Sequence, residues 1–300
     1  MPDMVMEAIA GVRCTVGESP VWHRQEQAWY WVDIPARRIW RLDYADGSTR
    51  HWDCDEMVAC IAPCFDGGLI AGMESGIFSI RLHDGNSTRA ERLAAPSELK
   101  RGMRFNDGRC DRQGRFWSGT MWMDMAAARP LGRLYSFDGR QGLSAPVVSD
   151  LLTQNGLAWS PDGRTMYLSD SHPKRRLVWA FDYDGDAGIP YNRRVFVDMA
   201  SYAGRPDGAT MDSDGCYWVA GNDGGSVLRF SPDGRLDREL RLPVVKPSMP
   251  CFGGPDLDLM LVTSIMAPGC ESDPMAGAVF LIRPGAKGVA DTPFASRCDC

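Results

Sequence analysis

Basic charge, long apolar runs and histidine are scarce in this 300-residue chain, and each scarcity argues against a class of function. Thirty-three Lys and Arg face 39 Asp and Glu, a net charge of -6. Such a balance offers no basic field to a phosphate backbone, so nucleic acid is not an expected partner. No uncharged run approaches the ~20 residues that cross a bilayer as a helix, and no membrane partner is expected. The opening residues MPDMVMEAIA lack a basic region followed by an apolar core. No secretory leader is read there, and a reducing, cytoplasmic location is the expectation. Only four His occur and there is no G-x-S-x-G elbow, which argues against serine nucleophile chemistry. Of the ten Cys, Cys60 and Cys64 stand four apart and Cys298 and Cys300 form a terminal pair. Neither spacing suits a zinc site, and buried thiols are expected.

What is plentiful points to strands and turns. Thirty-two Gly, 20 Pro and 29 aromatic residues (10 Trp, 8 Tyr, 11 Phe) favour short strands joined by tight turns. The chain also repeats itself. An apolar stretch, a turn rich in Asp and Gly, and an aromatic or aliphatic strand recur as FNDGRCDRQGRFWSGT, QNGLAWSPDGRTMYLSD and RPDGATMDSDGCYWVA. Looser copies are GESPVWHRQEQAWYWVDI, VACIAPCFDGGLIAG and PSMPCFGGPDLDLMLVTS. A second apolar pair follows each copy, beginning at Ile39, Ile77, Leu134, Val178, Val227 and Val279, with offsets of 38, 57, 44, 49 and 52 residues and a mean of 48. Six units of that period predict an all-β fold, a six-bladed β-propeller of four-stranded antiparallel blades. Residues 1–300 are read as one domain, although length alone suggests two. A strand near Glu7 to Arg13 is expected to complete the last blade beside residues 277–283, closing the ring. Residues 84–101, inside the longest offset, are expected to form a surface loop.

The first strand of each blade lines the central channel, so equivalent positions converge there. Eight residues before the turn glycines Gly114, Gly163 and Gly215 stand Asn106, Asn155 and Asp207; Glu18 stands eight before Glu26, where the turn of its copy falls. The second copy places Ala59 at this register, and the sixth offers no equivalent. Carboxylates that converge repel one another unless a cation neutralises them. One divalent cation is therefore expected, with Ca²⁺, Mg²⁺ and Mn²⁺ matching the oxygen donors and Zn²⁺ and Fe²⁺ also open.

The segments GESPVW, RFNDG, QNGLAWSPDG with MYLSDS, and RPDGATMDSDGCYWVA resemble the family of gluconolactonase, regucalcin (senescence marker protein) and luciferin-regenerating enzyme, in order along nearly the whole chain. The resemblance implies one divalent metal at the channel mouth, with Glu18, Asn155 and Asp207 as its ligands. Arg104 and Asn106 match a substrate-binding pair. Where sugar-lactonase members carry a Glu shortly after Gly-Thr-Met, this chain has Asp124, one methylene shorter. The residues that follow, Met125 to Pro130, resemble a loop that covers the site.

The expected activity is hydrolysis of a sugar-acid (aldono) lactone to the free aldonic acid. Asp207 is the expected proton acceptor for the attacking water, Arg104 the expected donor to substrate oxygens. His172, just after a strand, is placed within reach of the channel mouth. Two other readings stay open: a calcium-binding regulatory protein of regucalcin type, and a phosphotriesterase-like hydrolase using a similar channel metal.

Overall fold

Three of the six repeat copies turn on Asp-Gly, at Gly67, Gly163 and Gly215, which supplies the backbone that a tight reversal needs. Gly163 and Gly215 sit at φ 71° and 80°, a left-handed region that a Cβ disfavours. The computed structural model describes residues 6–295. Six antiparallel sheets follow in chain order, and the six copies are the inner hairpins of the six blades of a β-propeller. The innermost strands are Gly17–His23, Val58–Pro63, Met103–Cys110, Gln154–Trp159, Arg205–Met211 and Pro247–Gly253. The recurring apolar pairs lie in or at the start of the third strands. No helix among the described residues is long and apolar enough to cross a membrane.

Ring closure is as expected but shorter. Met6–Ala8 pairs with Phe280–Ile282, after which Gly11, at φ 73°, turns the chain and ends the regular strand well before Arg13. The expectation of a loop over residues 84–101 is corrected: Thr88–Ala94 is the fourth strand of blade 2, paired from Leu82↔Thr88 to Ile77↔Ala94. An outermost strand is exposed along most of its length, here half-buried only at its two end residues, so it lacks the apolar alternation by which inner strands are recognised. In blade 3 the outer position is split between Gly142–Leu143 and Val148–Leu151, both paired to Gly132–Asp138.

The core lies between blades. Six apolar clusters each join two neighbouring blades, for example Tyr30 and Val32 with Ile61 and Leu69, or Tyr167 and Val178 with Tyr217 and Phe230. The described cysteines are free and, Cys270 apart, buried; Cys298 and Cys300 lie outside the described residues.

The last segment crosses the face opposite the innermost strands' N-terminal ends. Ser213 N–H donates to Lys287 O at 2.8 Å, Phe294 N–H to Pro63 O at 2.8 Å and Ala295 N–H to Gly114 O at 2.9 Å. On the way Asp291 pairs with Arg109 at 3.0 Å, both nearly buried. Cavities of about 10 Å³ flank this pair, room for one water each.

Candidate metal centre and substrate site

The site is delivered by a pairing irregularity shared by all six blades. Each innermost strand slips one residue against its second strand: between Glu18 and Val21, Val58 and Cys60, Phe105 and Gly108, Asn155 and Ala158, Pro206 and Ala209, and Pro247 and Met249. A bulge of this kind re-aims side chains that the regular pleat would turn into the neighbouring blade. Ser19, after Glu18, and Gly156, after Asn155, both hold positive φ, 49° and 60°. For Ser19 that costs about 1 kcal/mol; its Oγ accepts from Ile61 N–H at 2.9 Å and its N–H donates to Glu18 Oε2 at 3.0 Å. The sixth blade, unassigned from sequence, places Ser248 at its slip, where the hydroxyl donates to Gly17 O at 2.5 Å.

Blades 4 and 5 meet at Asp207. Asn155 Nδ2 donates to Asp207 Oδ1 at 2.5 Å, and Asn222 Nδ2 donates to Asp207 Oδ2 at 2.7 Å. Asp207 is 3% exposed and Glu18 8%. Burial pushes Asp207 up to about 7, with the like charge of Asp107 adding to it and Arg205 and Asn222 opposing. Glu18 is also pushed well up, by burial first, then by the carboxylates of Asp207 and Asp107. Two carboxyls raised mainly by burial, with Asp207 adding its charge to the shift of Glu18, are poised for a cation. Asn155 Oδ1 is buried and accepts no hydrogen bond from the protein, so this set holds an amide oxygen in reserve beside the two carboxylates. The donors are all oxygen and fit a hard divalent ion. No group of three or more His, Cys, Asp or Glu arranged for a metal exists among the described residues; here the third donor is an amide.

Arg104 lies at the edge of this cluster. Its Nη1 donates to Phe105 O at 2.8 Å and to Asn106 Oδ1 at 2.7 Å. Burial pulls the guanidinium down to about 10, while Glu18 and Asp207 act to keep it charged. Asn106 Nδ2 donates to Gln154 O at 2.7 Å, so this amide links Arg104 to blade 4. Asp124 stands apart from the cluster: it is exposed, and its carboxylate caps the short 3-10 turn Met125–Ala127 by accepting from Ala127 N–H at 3.4 Å. His172 Nε2 lies 3.0 Å from Met125 O of that same turn.

Three side chains of the site escaped the sequence reading. Asn222, fully buried, ends the second strand Tyr217–Asn222 and shares itself between Asp207 and Pro247 O. Its signal was a polar residue closing an otherwise apolar YWVAGN, on a strand not counted as channel-lining. Asp107, next to Asn106 in the same triplet, accepts from Leu157 N–H at 2.8 Å through Oδ2, while its Oδ1 is unpartnered. Gln154 is fully buried, with both ends of its amide unpartnered. A cavity of about 480 Å³ lies elsewhere, between blades 2 and 3 beside Cys64, Leu93, Phe137 and Phe294, and contains none of these residues.

Residues 16–266 match the SMP-30/Gluconolactonase/LRE-like region, a span that holds every residue of the cluster. The chain belongs to this family. Within the SMP-30/gluconolactonase family, a 6-deoxy-6-sulfogluconolactonase of Pseudomonas putida is 39% identical over 284 residues, covering 93% of this chain and 95% of that protein. A luciferin-regenerating enzyme superposes with a TM-score of 0.91 at 27% identity, over 98% of this chain and 100% of the other. A calcium-binding protein, regucalcin, from Agrobacterium tumefaciens superposes with a TM-score of 0.88 at 25% identity, over 96% of each chain.

Proposed function

We propose that this family member is a lactonase, a carboxylic-ester hydrolase that opens a sugar-acid lactone to the free aldonic acid with one divalent cation bound by Glu18, Asn155 and Asp207. The observation that carries the reading is a pair of buried carboxyls, both raised by burial, beside a buried amide oxygen with no partner. A sugar lactonase as a relative at 39% identity supports the substrate class. A divalent cation in this site supplies polarisation of the lactone carbonyl and a lowered pKa for water.

The chain's own residues do the rest. Asn155 and Asn222 hold both oxygens of Asp207, so the carboxylate is oriented before substrate arrives. Asp207 takes a proton from the attacking water as its oxygen bonds to the carbonyl carbon. The ring C–O bond then breaks, and the proton passes to the departing ring oxygen, leaving a hydroxyl at one end of the chain and a carboxylic acid at the other. Arg104, steadied through Asn106, donates to the polyol or ring oxygens and stabilises the developing anion. Asp124, on its loop, reaches a sugar hydroxyl.

The test is acid release in a pH-stat assay over pentono- and hexonolactones, with each divalent metal added back to chelated protein. Opening is expected to vanish with chelator and in Asp207→Ala while the fold survives. A full rate in verified metal-free protein overturns the reading. The oxygen donor set and the calcium-binding regucalcin neighbour support a second reading, a calcium-binding regulatory protein. It predicts tight Ca²⁺ binding by calorimetry together with inactivity across the whole lactone panel; turnover of an organophosphate but no lactone marks a phosphotriesterase-like enzyme.

A further inference from the structure

The loop that carries Asp124 is tied down from the neighbouring blade by a single imidazole. Residues 123–131 join the second strand of blade 3, Phe116–Trp122, to its third, Gly132–Asp138. Residues 171–176 make the same connection in blade 4, between Thr165–Asp170 and Leu177–Asp184. Both connections therefore stand on the face where the channel opens at Glu18 and Asp207. His172 Nδ1 accepts from Lys174 N–H at 3.1 Å. A ring nitrogen that accepts carries no proton, so in the neutral imidazole the proton is on Nε2. That nitrogen donates to Met125 O, 3.0 Å away across the blade boundary.

The imidazole is a rigid anchor. It is 5% exposed, and its backbone N–H donates to Asp170 Oδ1 at 3.2 Å. Asp170 is itself fully buried and accepts from Leu152 N–H at 2.9 Å and Thr153 N–H at 3.0 Å. The loop, by contrast, buries no residue of its 3-10 turn, which ends on Ala128 in left-handed backbone, φ 45°. Its other ties are Met123 N–H to Gly102 O at 2.9 Å and the Arg129 guanidinium over the Trp122 ring at 4.6 Å.

We propose that His172 is a positioning residue: through Met125 it holds the 123–131 loop over the channel mouth and so sets substrate affinity without touching the reacting atoms. The proposal rests on the lactonase reading only for its kinetic consequence. His172→Phe keeps a buried ring and removes both ring hydrogen bonds; His172→Gln keeps a donor long enough for Met125 O. The loss of one positioning hydrogen bond is expected to raise KM up to about tenfold, with kcat little changed and the glutamine recovering most of the loss. In an Asp124→Ala background His172→Phe is expected to add no further rise in KM. Amide hydrogen exchange over residues 123–131, measured without substrate, is expected to quicken in the phenylalanine variant and not elsewhere. Unchanged exchange overturns the latch, and so does a fall in kcat at constant KM. If the wild-type protein opens no lactone, the activity reading fails and the exchange comparison alone decides the latch.

Discussion

Replacing Asp207 by asparagine isolates the electrostatic cost of the site. In the metal-free protein this carboxyl rises from 3.8 to about 7, which corresponds to about 4 kcal/mol of stability. The sign follows from the direction: the native state binds the proton more tightly than the unfolded chain. That stability is fully present below about pH 4 and is lost as pH rises through about 7. An asparagine never ionises, so it escapes the loss, but its amide presents an NH₂ to one of the two donors, Asn155 or Asn222, that now face it. One broken hydrogen bond costs about 1 kcal/mol. Asp207→Asn is therefore expected to stabilise chelated protein by about 3 kcal/mol at pH 8 and to be slightly destabilising only at about pH 4 and below. At roughly 2 °C per kcal/mol for a chain of this size, scanning calorimetry should show a Tm about 6 °C above wild type at pH 8. Saturating Ca²⁺ should reverse the order, since the wild type gains binding free energy that the variant lacks. A variant that melts below wild type at pH 8 in chelator would refute the crowding of carboxylates on which the metal assignment rests.

Arg104→Lys removes Nη1, which donates to both Phe105 O and Asn106 Oδ1, along with the guanidinium nitrogens left to face substrate, and kcat/KM for lactone opening is expected to fall by roughly 30-fold; an unchanged value in the pH-stat removes Arg104 from the substrate site. Gly119→Ala would place a Cβ 2.3 Å from Gln154 Cγ, and because Gln154 O holds Asn106, both stability, by about 2 kcal/mol, and activity are expected to drop. A wild-type urea midpoint would show that the neighbourhood yields freely. Asp291→Ala leaves Arg109 nearly buried without its carboxylate and is expected to cost about 3 kcal/mol, lowering Tm while leaving KM alone; a changed KM would mean that the ion pair is felt at the mouth.

The inner hairpins were legible because three signals coincide in them: a turn, in most copies rich in Asp and Gly, period-two alternation and an apolar pair that follows each copy. Outer strands such as Thr88–Ala94 were not, since TRAERLA is exposed over most of its length and reads like any polar segment. Within the site, counting back from the turn glycines found Asn155 and Asp207 because the bulge recurs at a constant distance from the turn. The count had no access to Asn222, which approaches the same carboxylate from a second strand, nor to Ser248, whose copy diverges at its turn. It also treated Asn106 as equivalent to Asn155, whereas one amide joins Arg104 to Gln154 O and the other keeps a free oxygen beside Asp207.

The segment crossing the lower face makes the central channel a cul-de-sac. With Asp291 locked to Arg109 and the strand ends stitched from Pro63 and Gly114 to Ser213, traffic has a single doorway. On the lactonase reading, lactone would enter and acid leave past Arg104 and the Met125 turn, so that product stands where the next substrate must dock. The free acid would then compete with lactone for the same doorway, to the extent that the site holds it.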